Sequence, residues 1–285
     1  MTIPVGVVIA DAPQGGWSAL STVAADAESA GASSVWLTDH LLWHRPTVDV
    51  IGGLHQVAAA TSRCRLGPCV LQLPLRDVAS TAKSMAYLDE VSGGRVVVGV
   101  GVGEHEPEYA AAGSGDRFHR RGELLDAGVA QLRALWSGVR TGAVAMAPSR
   151  PLPIWVGGRS DAARRRAAAI GDAWAPHLVR ASSLAAQRER LDRDLEAAGR
   201  DPSTLQLAPV LAAAIEELDD TGLEWFADLY GLPPSAFEHV VVRGSATRVA
   251  DEVAALAAVG AREVTLFVPS RRAAEHVAEV TAALA

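Results

Sequence analysis

The stretch SGGRVVVGVGVGE, Ser92 to Glu104, decides how the rest of the chain is read. Its first part, Arg95 to Val100, is a continuous apolar run behind a glycine pair, which fits a strand buried on both faces, as in the wall of a parallel barrel. Its second part alternates glycine with valine and ends on a carboxylate. Glycines at Gly99, Gly101 and Gly103 either let a flat group approach the backbone or serve a bulge or turn.

Outward from this segment, short apolar runs alternate with alanine-rich helical patterns in both directions, which predicts repeated βα units. The strand candidates are Val5 to Ala10, Ser34 to Thr38, Arg65 to Leu71, Arg95 to Val100, Pro153 to Val156, Asp172 to Ala175, Leu205 to Leu211 and Glu263 to Val268. Helical patterns such as Trp17 to Ala30, Val78 to Val91, Gly122 to Trp136, Asp161 to Ile170, Ser182 to Ala198 and Ala246 to Val259 lie between them. Gly31, Gly171, Gly199 and Gly260 suit left-handed helix ends. The count predicts an α/β fold, a (β/α)8 TIM barrel forming one domain over residues 1–285. An insertion follows strand 4, from Glu104 to Arg121, at the end where such barrels carry their sites. A second irregular segment, Thr221 to Arg243, reads as an extra helix or packing element.

With 49% hydrophobic and 21% charged residues, the 285-residue chain can build a substantial core without metal or disulfide. Cys64 and Cys69 fall in one strand candidate, roughly 16 Å apart and on opposite faces, so they do not pair. Net charge is −7 and Lys83 is the only lysine, which gives nucleic acid no footprint. The run Arg164 to Arg166 reads as a solvated helix face. Apolar stretches break before roughly 18 residues and the N-terminus lacks a signal-peptide pattern, so a soluble, cytoplasmic protein with no membrane contact is expected.

Strand ends of such a barrel converge on one mouth. Asp39 and His40 close an apolar strand and either face a ligand or cap the following helix. Gly157, Gly158, Arg159 and Ser160 precede a helix; they form either a phosphate-binding nest or a turn with Ser160 as N-cap. His177 ends another strand, whereas His55, His239 and His276 read as helix or surface positions. No metal-ligand spacing, HExxH, nucleophile elbow or P-loop is present.

AESAGASSVWLTDH, AKSMAYLDEVSGGRVVVGVGVGEHEPEY, RGELLDAGVAQLRALWSG, PIWVGGRSDAARRRAAAIGDAW and GSATRVADEVAALAAVGAREVTLF resemble, in that order, segments of the luciferase-like monooxygenase superfamily. Asp39-His40 with a nearby tryptophan, and a glutamate after the glycine run, resemble the branch that uses the deazaflavin coenzyme F420. That resemblance implies hydride transfer, with His40 and Glu104 as catalytic groups and Asp39 on the cofactor. It also implies a non-prolyl cis peptide at Cys69-Val70 behind the ring, with Gln72 nearby, and Gly157, Gly158 and Ser160 on the phosphate; Gly101 and Gly103, by their missing side chains, and Arg159, by its charge, are cofactor candidates on their own chemistry. Trp43 or His44 occupies the branch tryptophan's place, and either residue, with His177, is a candidate for substrate contact. A homodimer is expected from the same resemblance. The alternatives are a reduced-FMN-dependent monooxygenase, which needs a flavin reductase, and a non-catalytic flavin-binding homologue. Ala127 stands where the family often has glutamate and the stretch between Trp136 and Pro153 is short, so substrate identity does not transfer.

Overall fold

In the computed structural model, residues 2–137, 147–216, 218 and 222–285 are described. Much of the short stretch between Trp136 and Pro153, and the start of the segment from Thr221, lie outside them. The strands are β1 (Val5–Ile9), β2 (Ser34–Leu37), β3 (Arg65–Pro68), β4 (Leu71–Gln72), β5 (Val98–Gly101), β6 (Ile154–Gly157), β7 (Ala173–Ala175), β8 (Gln206–Leu207), β9 (Val210–Ile215), β10 (Val242–Gly244) and β11 (Val264–Phe267). Every pairing is parallel.

One run of paired strands goes from β9 through β11, β1 and β2 to β3, and a second from β4 through β5, β6 and β7 to β8. β4 continues β3 past Cys69 and Val70, and β9 continues β8 past Ala208 and Pro209. Bridges between Leu66 and Val96 and between His177 and Val210 join the two runs. The result is the (β/α)8 barrel.

The strand expected over Arg65 to Leu71 is therefore broken at Cys69 and Val70, and that over Leu205 to Leu211 at Pro209, which has no N–H to give a neighbouring strand. β10 was not expected; it pairs with the far end of β9, Ala213 to Ile215, beyond the residues that β11 uses.

Alternation sorts the side chains of each stave. On β1, Val5, Val7 and Ile9 pack outward against the helices, while Val8 points inward with Trp36, Val97, Trp155, Val210 and Phe267. The helices outside this wall include α1 (Leu20–Ser29), α2 (Val50–Ala60), α3 (Val78–Ser92), α5 (Arg121–Trp136), α6 (Asp161–Ile170), α7 (Ala181–Ala197), α9 (Ala246–Ala258) and α10 (Ala273–Ala283). Side-chain caps start several: Asp77 accepts from the Ser80 N–H before α3, and Ser160 from the Ala163 N–H before α6.

Gly31, Gly199 and Gly260 take positive φ after their helices, but Gly171 does not, at φ −88°. Of the Arg164 to Arg166 run, expected as a solvated face, only Arg165 is exposed. Arg164 is buried between Asp161 and Asp194, and Arg166 pairs with Asp126. His276, expected on a helix or the surface, lies on α10 and is fully buried. Among the described residues no helix is long and apolar enough to cross a membrane, and no group of His, Cys, Asp or Glu is arranged to hold a metal.

Candidate active site

The peptide bond between Cys69 and Val70 is cis. The bulge presses Val70 across the ends of β5 and β6, and this contact explains two glycines. A Cβ on Gly101 would lie 2.3 Å from one Val70 methyl, and a Cβ on Gly157 would lie 2.6 Å from the other. At Gly99 a Cβ would meet the Pro68 carbonyl oxygen at 2.1 Å. The glycine run is thus required by the protein's own bulge. Gly103 takes a φ of +72° against the Gln72 side chain, a conformation that favours glycine.

Past β2, Asp39 is 4% exposed and its carboxylate is already engaged. It accepts from the Gln72 N–H at 2.9 Å and from the Arg76 guanidinium at 2.5 and 3.1 Å. Through these bonds Asp39, expected on the cofactor, ties the end of β2 to the segment that follows the bulge. His40 next to it stacks on Trp43 with centroids 4.0 Å apart, and its Nδ1 lies 3.3 Å from Glu108 Oε2.

The carboxylate beside His40 is Glu108, not Glu104. The insertion after β5 forms α4 (Glu106–Ala111) and a 3-10 turn (Gly115–Arg120), which brings Glu108 under the β2 loop while Glu104 stays exposed. Fully buried, Glu108 accepts from the backbone N–H groups of Leu41 and Leu42 and from Gln72 Nε2. Burial would raise its pKa, but hydrogen bonds from His40 and Gln72, the His40 charge and the Leu42 amide outweigh it and hold the carboxyl below its usual range. The sequence EHEPEY offered three glutamates; Pro107, favoured in a first helical turn, was the signal that a helix starts there and turns one of them inward.

Across the mouth, α8 (Leu223–Tyr230) grows out of the second irregular segment and lies over the barrel end. Trp225 Nε1 donates to Asp11 after β1, Trp43 Nε1 donates to the Leu229 carbonyl, and Arg45 pairs with Asp228. Tyr230 Oη lies 2.6 Å from His177 Nε2. Burial, with Arg159 nearby, pushes the His177 imidazole down to about 4, so it is neutral at ordinary pH. His44 packs against Gly231. Arg159 and Ser160 are exposed at the start of α6; Ser160 serves as the N-cap, and Arg159 reaches toward the Leu178 carbonyl. Cys69, Val70, Gly157, His177 and Tyr230 each keep some exposure to solvent.

The sequence profile of luciferase-like monooxygenases matches residues 3–257. The chain belongs to the luciferase-like monooxygenase family. Among relatives of this family member, the F420-dependent hydroxymycolic acid dehydrogenase of Mycobacterium tuberculosis is 31% identical over 234 residues, 74% of this chain and 62% of that one. The F420-dependent glucose-6-phosphate dehydrogenase of Kineococcus radiotolerans is 30% identical over 212 residues, 66% of this chain and 62% of that one. The chain spans 62% of these two relatives and 48%, about half, of others.

Among solved structures, an F420-dependent secondary alcohol dehydrogenase in complex with an F420-acetone adduct superposes over 100% of both chains, with a TM-score of 0.86 at 17% identity. The FMN complex of the oxygenating constituent of 3,6-diketocamphane monooxygenase from Pseudomonas putida gives 0.77 at 15% identity, over 98% of this chain and 97% of that one. At these identities the likeness shows the luciferase-like fold, which two different cofactors can share.

Proposed function

We propose that the protein is an F420-dependent oxidoreductase that moves a hydride between F420 and a small organic substrate. The observation that carries the reading is the His40–Glu108 pair beside the Cys69-Val70 bulge, in a chain whose relatives include F420-dependent dehydrogenases.

The residues fit such a cofactor. Gln72 Oε1 is buried without a hydrogen-bond partner, an acceptor suited to a ring N–H. Cys69, Val70, Gly101 and Gly103 would lie beside the ring. Gly157, Gly158, Arg159 and Ser160, with the first N–H groups of α6, would hold a phosphate. Bound F420 supplies hydride transfer at a carbon centre and does not readily activate oxygen.

The chain supplies the proton work. Both hydrogens of Gln72 Nε2 go to acceptors, the Asp39 carbonyl at 2.7 Å and Glu108 Oε2 at 3.0 Å. None is left for His40 Nδ1, so Nδ1 carries its own hydrogen and gives it to Glu108. Nε2 is then the ring nitrogen free to take a proton from a substrate hydroxyl or return one to a carbonyl oxygen. His40→Ala is expected to keep cofactor binding and lower turnover by about 10²- to 10⁴-fold; undiminished turnover would remove His40 from the mechanism.

The second reading, a reduced-FMN-dependent monooxygenase working with a flavin reductase, is favoured by the FMN-bound neighbour. Fluorescence titration of apo-protein with F420 and FMN side by side separates the two. Tight F420 and weak FMN binding supports hydride transfer, and the reverse supports the monooxygenase. Binding of either with no turnover would point to a non-catalytic homologue. The reading includes a homodimer, which light scattering in solution would test.

A further inference from the structure

Resting on the F420 reading, we infer that Tyr230, held by His177, is a wall of the cofactor's ring site and contacts the flat ring directly. Tyr230 comes from α8, outside the βα repeat, yet it reaches the middle of the mouth. Its ionisation is made harder first by burial and then by Glu104 and Cys69 and eased by Arg159, groups that come from the ends of three different staves. Its ring continues a row that crosses the opening: His40 to Trp43 at 4.0 Å, Trp43 to Tyr230 at 6.0 Å and Tyr230 to His177 at 6.5 Å.

The hydroxyl is fixed with care for a residue that only packs. His177 takes it at 2.6 Å. His177 in turn is placed by its bridge to Val210 and by Leu178, whose φ of +54° is the one positive value among the described non-glycine residues. Such a conformation is strained for leucine and persists only where its surroundings enforce it. An imidazole kept neutral by burial and a phenol whose ionisation burial makes harder put no charge at this point. The pair is unsuited to acid–base work and offers an uncharged, fixed aromatic edge. A flat heteroaromatic ring between that edge and Val70 would be gripped without competing for the proton that His40 handles.

The test is F420 titration of wild type, Tyr230→Phe and Tyr230→Leu, with melting curves alongside. Tyr230→Leu is expected to weaken F420 about fivefold to tenfold, Tyr230→Phe by less than about threefold. The quenching of bound F420 should also be shallower in Tyr230→Leu, a signature that a merely structural role would not produce. Wild-type affinity and quenching in folded Tyr230→Leu would overturn the inference and leave the F420 reading standing. Failure of the wild type to bind F420 would overturn both. Should Tyr230→Leu not fold, Tyr230→Met decides: it keeps much of the bulk but removes the flat ring, and wild-type affinity and quenching in that variant would overturn the inference.

Discussion

In the proposed reaction the role of His40 depends on Gln72, which gives the imidazole none of its hydrogens. Gln72 spends both amide hydrogens on acceptors, so the imidazole must satisfy Glu108 with its own N–H. Glu108→Gln removes the charge but keeps the shape. Its turnover should fall at least about tenfold, with F420 affinity changed less than about threefold. Glu104→Gln, at the exposed position, should have the smaller effect on turnover; a larger one would restore Glu104 as the partner. The motif around Asp39 and His40 was legible in the sequence because two polar residues closing an apolar strand are conspicuous. Glu108 was not legible, because α4 alone turns it inward.

At the scale of the element, the glycines and the bulge form one device. Gly101→Ala would drive a methyl into Val70 and should cost about 1–3 kcal/mol in denaturant unfolding. Val70→Ala in the same chain should return most of that loss, and purely additive effects would show that the two do not touch in solution. Another element depends on Glu28 at the end of α1. Its buried carboxylate receives the backbone N–H groups of Ser62, Arg63 and Cys64 and so fixes the turn that leads into β3. Burial would raise its pKa, but those hydrogen bonds lower it from 4.5 to about 2. Glu28→Gln should cost roughly 1–3 kcal/mol at neutral pH.

For the whole molecule, His177 and Glu28 predict the same response to acid. His177 titrates at about 4 when folded against 6.5 when free, so across that window the unfolded chain binds a proton that the native one does not, and stability falls as pH drops. Glu28 adds its loss between 4.5 and about 2, and Glu108, also held low, acts in the same direction. Melting temperature should decline in two stages below neutrality. His177→Gln should abolish the upper stage, and an unchanged curve in that variant would show that the imidazole is not held neutral in the fold.

Repeated apolar strands, helices closed by glycine or capped by Asp and Ser, and polar strand ends are local features, so the sequence by itself determined the barrel class and the mouth as the place to look. Hydrophobic periodicity reports which face is buried and needs no knowledge of distant contacts. Whether a polar residue faces substrate or another side chain depends on neighbours far along the chain, and only the tertiary structure decided that. It paired Asp39 with Arg76, put Glu108, 68 residues along the chain, beside His40, and laid α8 over the mouth so that Tyr230 meets His177.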